Sequence, residues 1–327
     1  MIYETYARSV RRTLLITPLI ALARQQAQRL RSLGFEVYLG MGATPRYPAC
    51  DSFRNQKKPQ IWITSPERLF PSSRNDVSSA LKYWHPDFLV VDECHCLSEW
   101  GNEFRPAYSR VADLPRLLDL QRSLWLTATL PAVTRKLILD QLPENRILMG
   151  QFEWPETIEF QVFKQEWSER LNFLFRLSQE SKDSSGIVFV QSRSLAERVC
   201  QALLSQGTVA RFYHAGLSLE ERLQIEAQAR EKKLQVLVAT GAFGMGLDIS
   251  HWSWVVLWQP PLSLLSLAQM IGRVGRSGHR ARAFLLWCDE DFRTLSWAPV
   301  EPLQEVNRYL LRNECKKTGL IRYFNSD

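Results

Sequence analysis

An α/β fold organised as two parallel sheets is what this sequence predicts, and three observations predict it. The first half alternates short apolar runs with helical patterns, the signature of parallel strands connected by helices. The second half repeats that layout without repeating residues. A chain of 327 residues with 45% hydrophobic content can bury two cores of ordinary size.

In chain order, Thr13 to Thr17 reads as a strand. Pro18 to Ser32 reads as an amphipathic helix with Leu19, Leu22 and Leu30 near one face and Arg and Gln on the other. Ile61 to Thr64, Phe88 to Val91 and Leu124 to Leu126 are the next strands. Composition changes after Leu142. Pro143 to Ser168, with its breakers and scattered Trp154 and Trp167, reads as an interdomain connection entering a new edge strand. Strands are then expected at Gly186 to Val190, Val209 to Tyr213, Val236 to Ala239, Trp254 to Trp258 and Ala283 to Trp287. Helices are expected at Ser194 to Ser205 and Leu219 to Lys232. The expected division is 1–150, 151–298 and a C-terminal piece, 299–327.

The net charge of +7 suits a polyanion partner, although a solvated basic surface produces such an excess as well. The six cysteines are scattered rather than framed, as in reduced intracellular thiols. Met1 to Arg12 lacks an apolar core and carries Arg8, Arg11 and Arg12, and no apolar run is long enough to span a bilayer. The expectation is a cytoplasmic protein with no membrane partner.

Asp92 and Glu93 follow the apolar run Phe88 to Val91, where ligands collect at a strand's carboxyl end. Two adjacent carboxylates there suit a metal and a water, and they equally suit an ordinary solvated strand end. Cys94, His95 and Cys96 cannot all converge on one ion, and no second Cys or His pair follows at zinc spacing. The next loop, Ser98 to Tyr108, carries Trp100, Phe104, Arg105 and Tyr108, with Gly101, Asn102 and Pro106 breaking its periodicity. An exposed aromatic loop can stack unpaired bases, worth roughly 1 to 3 kcal/mol per base.

This stretch, VVDECHCLSEWGNEFRPAY, closely resembles the DECH box and aromatic-rich loop of RecQ-type DNA helicases, which in that family couples DNA binding to ATP hydrolysis. Other segments resemble that family's motifs in order. Ile16 to Gln26 resembles motif Ia, and Ile63 to Leu69 motif Ib. From them the resemblance implies DNA-backbone contacts by Thr17, Pro18, Ser65 and Pro66. Leu126 to Pro131 resembles motif III, where Thr127 and Thr129 relay between the acidic site and DNA. Phe189 to Val199 and Phe212 to Arg222 match in order and spacing, implying nucleic-acid contacts at Ser192, Arg193 and His214. Ala239 to Ile249 matches motif V, with Thr240 toward DNA, glycines 241, 244 and 246 for close backbone approach, and Asp248 toward ribose or the cleft network.

Gln269 to Gly278 has the motif VI pattern Gln-x-x-Gly-Arg-x-Gly-Arg. On a helix Gln269, Arg273 and Arg276 share one face, and in the family such arginines reach the γ-phosphate. Arg276 matches the arginine finger, worth roughly 10³ to 10⁵ in rate. Met270, Val274 and Ser277 depart from the usual Glu, Ala and Asp, and His279 reads as a turn residue. Asn313 to Phe324 resembles the opening of the family's zinc subdomain. Cys315 matches its first ligand and stands alone, so no bound zinc is expected.

The resemblance implies two RecA-like lobes, the first incomplete at its N-terminus. No Gly-Lys pair, and hence no G-x-x-x-x-G-K-[ST] phosphate loop, occurs in the 327 residues. In the family that loop's strand lies inside the first sheet, so an exposed strand edge is expected. The implied function is an ATP- and Mg²⁺-dependent 3′-5′ DNA helicase of recombination and repair, acting on single-stranded or forked DNA. By itself the chain is expected to be inactive in ATP hydrolysis. Two alternatives stand beside it: a non-catalytic single-stranded-DNA-binding remnant, and one half of a split enzyme whose partner polypeptide carries the missing N-terminal segment. Otherwise a monomer is expected.

Overall fold

The computed structural model describes residues 11–18, 20–41, 59–70, 79–97, 106–141, 150–181, 184–241, 243, 249, 251–276 and 278–325. The chain divides into two compact units between Gln151 and Phe152.

The first unit is a five-stranded parallel sheet. Its strands are β1 (Arg12–Ile16), β2 (Glu36–Leu39), β3 (Gln60–Thr64), β4 (Phe88–Asp92) and β5 (Ser123–Leu126), in the order β2-β3-β1-β4-β5. Strand β1 is central because its Leu14 and Ile16 face one layer while Leu15 faces the other, so both faces need cover. Helix α1 (Ile20–Ser32) supplies Ala23 and Ala27 to the layer built on Ile61 and Ile63. The opposite layer packs Trp62 edge-on against Trp84 of α3 (Ser79–Trp84), after the short α2 (Pro66–Leu69). A 3₁₀ turn (Ser109–Asp113), α4 (Leu114–Leu117) and α5 (Ala132–Leu139) complete the described part of this unit.

Strand β5 is the outermost of the sheet, and among the described residues it pairs only with β4, with Leu126 opposite Asp92. Its side chains are half-buried, and Leu126 is exposed, in contrast with the fully buried β3. The sheet's edge thus lies directly beside the acidic strand end.

The second unit is a six-stranded parallel sheet of β6 (Ile158–Lys164), β7 (Ser185–Phe189), β8 (Ala210–Tyr213), β9 (Val236–Ala239), β10 (Trp252–Leu257) and β11 (Ala281–Trp287). Their order is β6-β11-β10-β7-β9-β8. The expected new edge strand is β6, and the connection before it ends at Thr157, since Trp167 already opens α6 (Trp167–Glu180). The period-two alternation of β10 sends Val255 and Leu257 to one core layer and Trp254 and Val256 to the other. Gly186 on β7 lies under the Trp254 indole, where a Cβ would overlap the ring.

Helix α7 (Arg193–Ser205) starts at Ser192, whose hydroxyl accepts from the Leu195 N–H at 3.2 Å. Helix α8 (Leu219–Arg230) starts with a capping box between Ser218 and Glu221. After α9 (Leu264–Ile271) and α10 (Asp289–Thr294), helices α11 (Val300–Leu311) and α12 (Lys316–Asn325) add Val306, Tyr309, Leu310, Leu320 and Phe324 to the same core layer as β10 and β11. The C-terminal piece is therefore packed on the second sheet.

Beneath α6 lies a buried ion pair. Arg170 meets Asp291 at 2.7 Å with both side chains fully enclosed, and the guanidinium also donates to the Trp258 and Gln165 carbonyls. Asp291 in turn accepts from the Cys288 N–H and the Trp167 indole, so both charges are hydrogen-bonded.

Candidate active site and nucleic-acid interface

Asp92 is the last residue of β4, which fixes its carboxyl at the carboxyl edge of the first sheet. One oxygen accepts from Gln26 Nε2 on α1 at 2.7 Å, and the other from the Glu93 N–H at 3.1 Å. A carboxylate offers about four lone-pair sites, so acceptor capacity remains. Burial raises the Asp92 pKa, and the two hydrogen bonds oppose that rise. Gln26 Oε1, the other end of the same amide, is buried without a hydrogen-bond partner.

Glu93 takes a left-handed backbone, φ 53°, which turns the chain sharply off the strand. The turn brings His95 under Glu93, with Nδ1 at 2.9 Å from Thr127 Oγ1 and 3.3 Å from Glu93 Oε2. Thr127 spends its own hydroxyl hydrogen on the Thr129 carbonyl at 2.7 Å, so it accepts from His95, whose Nδ1 carries the proton. The nearby Glu93 carboxylate favours an imidazolium, but burial dominates and lowers the His95 pKa to about 4. The ring is neutral and the contact with Glu93 is not an ion pair. Sequence reasoning identified Thr127 and Thr129 but missed Gln26 and His95.

Cys94 and Cys96 are buried, and burial pushes the Cys94 thiol up to about 12, so Cys94 is not a reactive thiolate. Among the described residues no cluster of three or more His, Cys, Asp or Glu side chains could hold a metal. A single, firmly held carboxylate beside an orphaned buried acceptor fits Mg²⁺, which keeps several waters and takes one or two protein oxygens. It does not fit zinc.

Of the residues expected to touch the DNA backbone from this unit, Thr17, Pro18, Ser65 and Pro66 are buried. There the Thr17 amide donates to the Thr64 carbonyl at 3.1 Å, extending the ladder beyond β1 and β3. Trp100, Phe104 and Arg105 lie outside the described residues. Tyr108, expected in the exposed loop, is fully buried ahead of the 3₁₀ turn.

In the second unit, the segments after β7, β9 and β8, adjacent in the sheet, carry Ser192 and Arg193, Thr240, and His214. The Thr240 N–H donates to the Tyr213 carbonyl at 3.1 Å, which keeps the row in register. His214 is buried, stacks on Phe212 and pairs through Nε2 with Glu197 at 3.0 Å, while its Nδ1 has no hydrogen-bond partner. A Cβ on Gly216 would stand 3.2 Å from both Arg193 Nη1 and His214 Nδ1, so the absent side chain is what lets these two converge. Ser192 and Arg193 are exposed at the N-terminus of α7, a position suited to an anion.

Phe243 packs on Tyr213 with ring centroids 4.9 Å apart. Gly246 and Asp248 lie outside the described residues. Gln269 belongs to α9, but the helix ends at Ile271, so Arg273 and Arg276 are not on its face as expected. Gly272 caps the helix and Gly275 has φ 74°, which together unwind the chain. Arg276 Nε still donates to the Gly272 carbonyl at 2.9 Å. Cys315 is exposed just before α12, its pKa lowered by hydrogen bonds from Thr318.

Two family models match the chain: the DEAD/DEAH box helicase model over residues 2–137 and the helicase conserved C-terminal domain over residues 169–278. Both models describe helicase segments, one matching the first unit and the other the second. The solved structure of S. cerevisiae Dbp5 bound to RNA and ADP BeF3 is 20% identical, with a TM-score of 0.63 over 91% of this chain and 75% of that one, a likeness of fold. Among curated proteins, the ATP-dependent DNA helicases RecQ of Pasteurella multocida and Bacillus subtilis are each 32% identical over 95% of this chain. This chain covers 51% of the first and 55% of the second, so it spans about half the length of these relatives. The chain is a homologue of the RecQ-type ATP-dependent DNA helicases. No helix among the described residues is long and apolar enough to cross a membrane.

Proposed function

We propose that these residues are the greater part of the motor core of a RecQ-like 3′-5′ DNA helicase, working on single-stranded or forked DNA with Mg²⁺ and ATP. The observation that carries the reading is the pair of connected groups at this strand end: Gln26 and the Glu93 amide hydrogen-bonded to Asp92, and His95, in contact with Glu93, hydrogen-bonded to Thr127 and through it to Thr129. Asp92 holds the cation, and Glu93, turned off the strand by its left-handed backbone, orients the attacking water. The neutral His95 ties that acidic end to Thr127. Bound Mg²⁺ supplies charge neutralisation on the nucleotide phosphates. Arg273 and Arg276 supply further positive charge for the transition state, and Gln269, Gly246 and Asp248 complete nucleotide recognition. The row of Ser192, Arg193, His214 and Thr240 holds the DNA backbone, with Trp100, Phe104 and Arg105 sensing bases.

Residues 1–327 contain no Gly-Lys pair to hold the β- and γ-phosphates, so these residues alone bind single-stranded DNA without turning over ATP. The test is a fluorescence-anisotropy titration of a labelled oligonucleotide at several salt concentrations, run beside a phosphate-release assay. The expected result is steeply salt-dependent binding, weakened by Arg193→Ala and indifferent to ATP. DNA-stimulated turnover that Glu93→Gln abolishes would overturn the claim of inactivity. Salt-independent binding would remove the DNA reading.

A further inference from the structure

We propose that Gln26 is an outer-sphere element of the divalent-cation site: Nε2 fixes the Asp92 carboxylate, and Oε1 accepts a hydrogen bond from a water on the cation. The inference rests on the reading of Asp92 as the cation ligand.

The amide reaches Asp92 from the second turn of α1, across 66 residues of sequence, and the contact is short at 2.7 Å. In this contact the amide nitrogen donates to Asp92, so the amide oxygen points away from it. That leaves Oε1 buried with no donor. A buried acceptor without a partner costs about 1 to 3 kcal/mol, which a structure retains where a ligand supplies the missing donor. The amide's neighbour, Asp92, combines a strand-end position, clamped oxygens and unused acceptor capacity. Mg²⁺ retains several waters when bound by one or two carboxylates, and those waters are strong donors pointing outward. A cation on the remaining lone pairs of Asp92 carries such waters within reach of the same amide.

Gln26 is therefore a positioning residue, acting on the cation through Asp92 and through water. Such outer partners change metal affinity by roughly 10- to 100-fold when removed. The test is Mn²⁺ binding to the 327-residue chain, followed by loss of the free-ion electron paramagnetic resonance signal, for wild type, Gln26→Ala, Gln26→Asn and Asp92→Asn. Thermal melting by circular dichroism establishes that each variant is folded. Gln26→Asn keeps the amide but shortens its reach, so it stands in should Gln26→Ala fail to fold.

The expected result is loss of the site in Asp92→Asn and at least about tenfold weaker Mn²⁺ binding in both Gln26 variants. Loss in Asp92→Asn with Gln26 variants within twofold of wild type overturns the inference and leaves the reading of Asp92 standing. No bound Mn²⁺ in wild type, or unchanged binding in Asp92→Asn, overturns both.

Discussion

Acid should loosen the first unit through one buried ring. His95 is 3% exposed and titrates at about 4 in the folded chain, against 6.5 when solvated. Between those values the unfolded chain binds a proton that the folded chain refuses. Stability is therefore fully present above pH 6.5 and is lost as pH falls toward 4. The interval of about 2.5 pH units, at about 1.4 kcal/mol each, amounts to roughly 3 kcal/mol from this ring alone. Comparison with His95→Asn isolates it, because an Asn amide stands where Nδ1–H stands and still donates toward Thr127, but does not titrate. Hydrogen exchange of the β4 amides, followed from pH 7 to 4 and corrected for intrinsic rates, measures the unit's opening free energy separately from the second sheet. Wild type should lose roughly 3 kcal/mol more than the variant. Equal losses in the two proteins refute the neutral, buried ring.

Other substitutions probe the frame around the sites. Asp291→Ala leaves the enclosed Arg170 guanidinium without its counter-ion and should cost about 3 to 5 kcal/mol in urea unfolding of the second unit. Replacing both partners, Arg170→Met with Asp291→Leu, should cost less than that single change. Gly186→Ala drives a methyl into the Trp254 ring and should lower stability by about 1 to 3 kcal/mol, read as a fall in melting temperature. Glu93→Gly relieves the left-handed backbone and should slow β4 exchange by the equivalent of about 1 kcal/mol while removing the carboxylate.

The strands were legible where apolar runs were long enough to declare themselves. Phe88 to Val91 and Val236 to Ala239 could be read almost to the residue, because buried parallel strands have no polar face. Strand β2 was not, since Glu36–Leu39 is a four-residue strand of mixed character and its place depends on β3. The acidic pair was visible in sequence, whereas its support was not. Gln26 lies 66 residues from Asp92 and His95 lies 32 from Thr127, and neither separation leaves a local periodicity. The Arg273 and Arg276 error has a local cause: spacing suggested a helical face, but Gly272 and Gly275 end the helix first. Thr17 and Ser65 resemble phosphate binders by type and are both buried, the Thr17 amide being taken up by the sheet's ladder.

Among the described residues the outer side of β5 has no partner strand, and that edge bears on behaviour in concentrated solution. Ser-Leu-Trp-Leu carries no charge and no proline to repel another strand, and Val133 and Leu137 on α5 are exposed as well. Such an edge is a template for self-association. Precipitation, when it occurs, should begin at this rim of the first unit, and one lysine at Ser123 should suppress it while leaving the second sheet untouched.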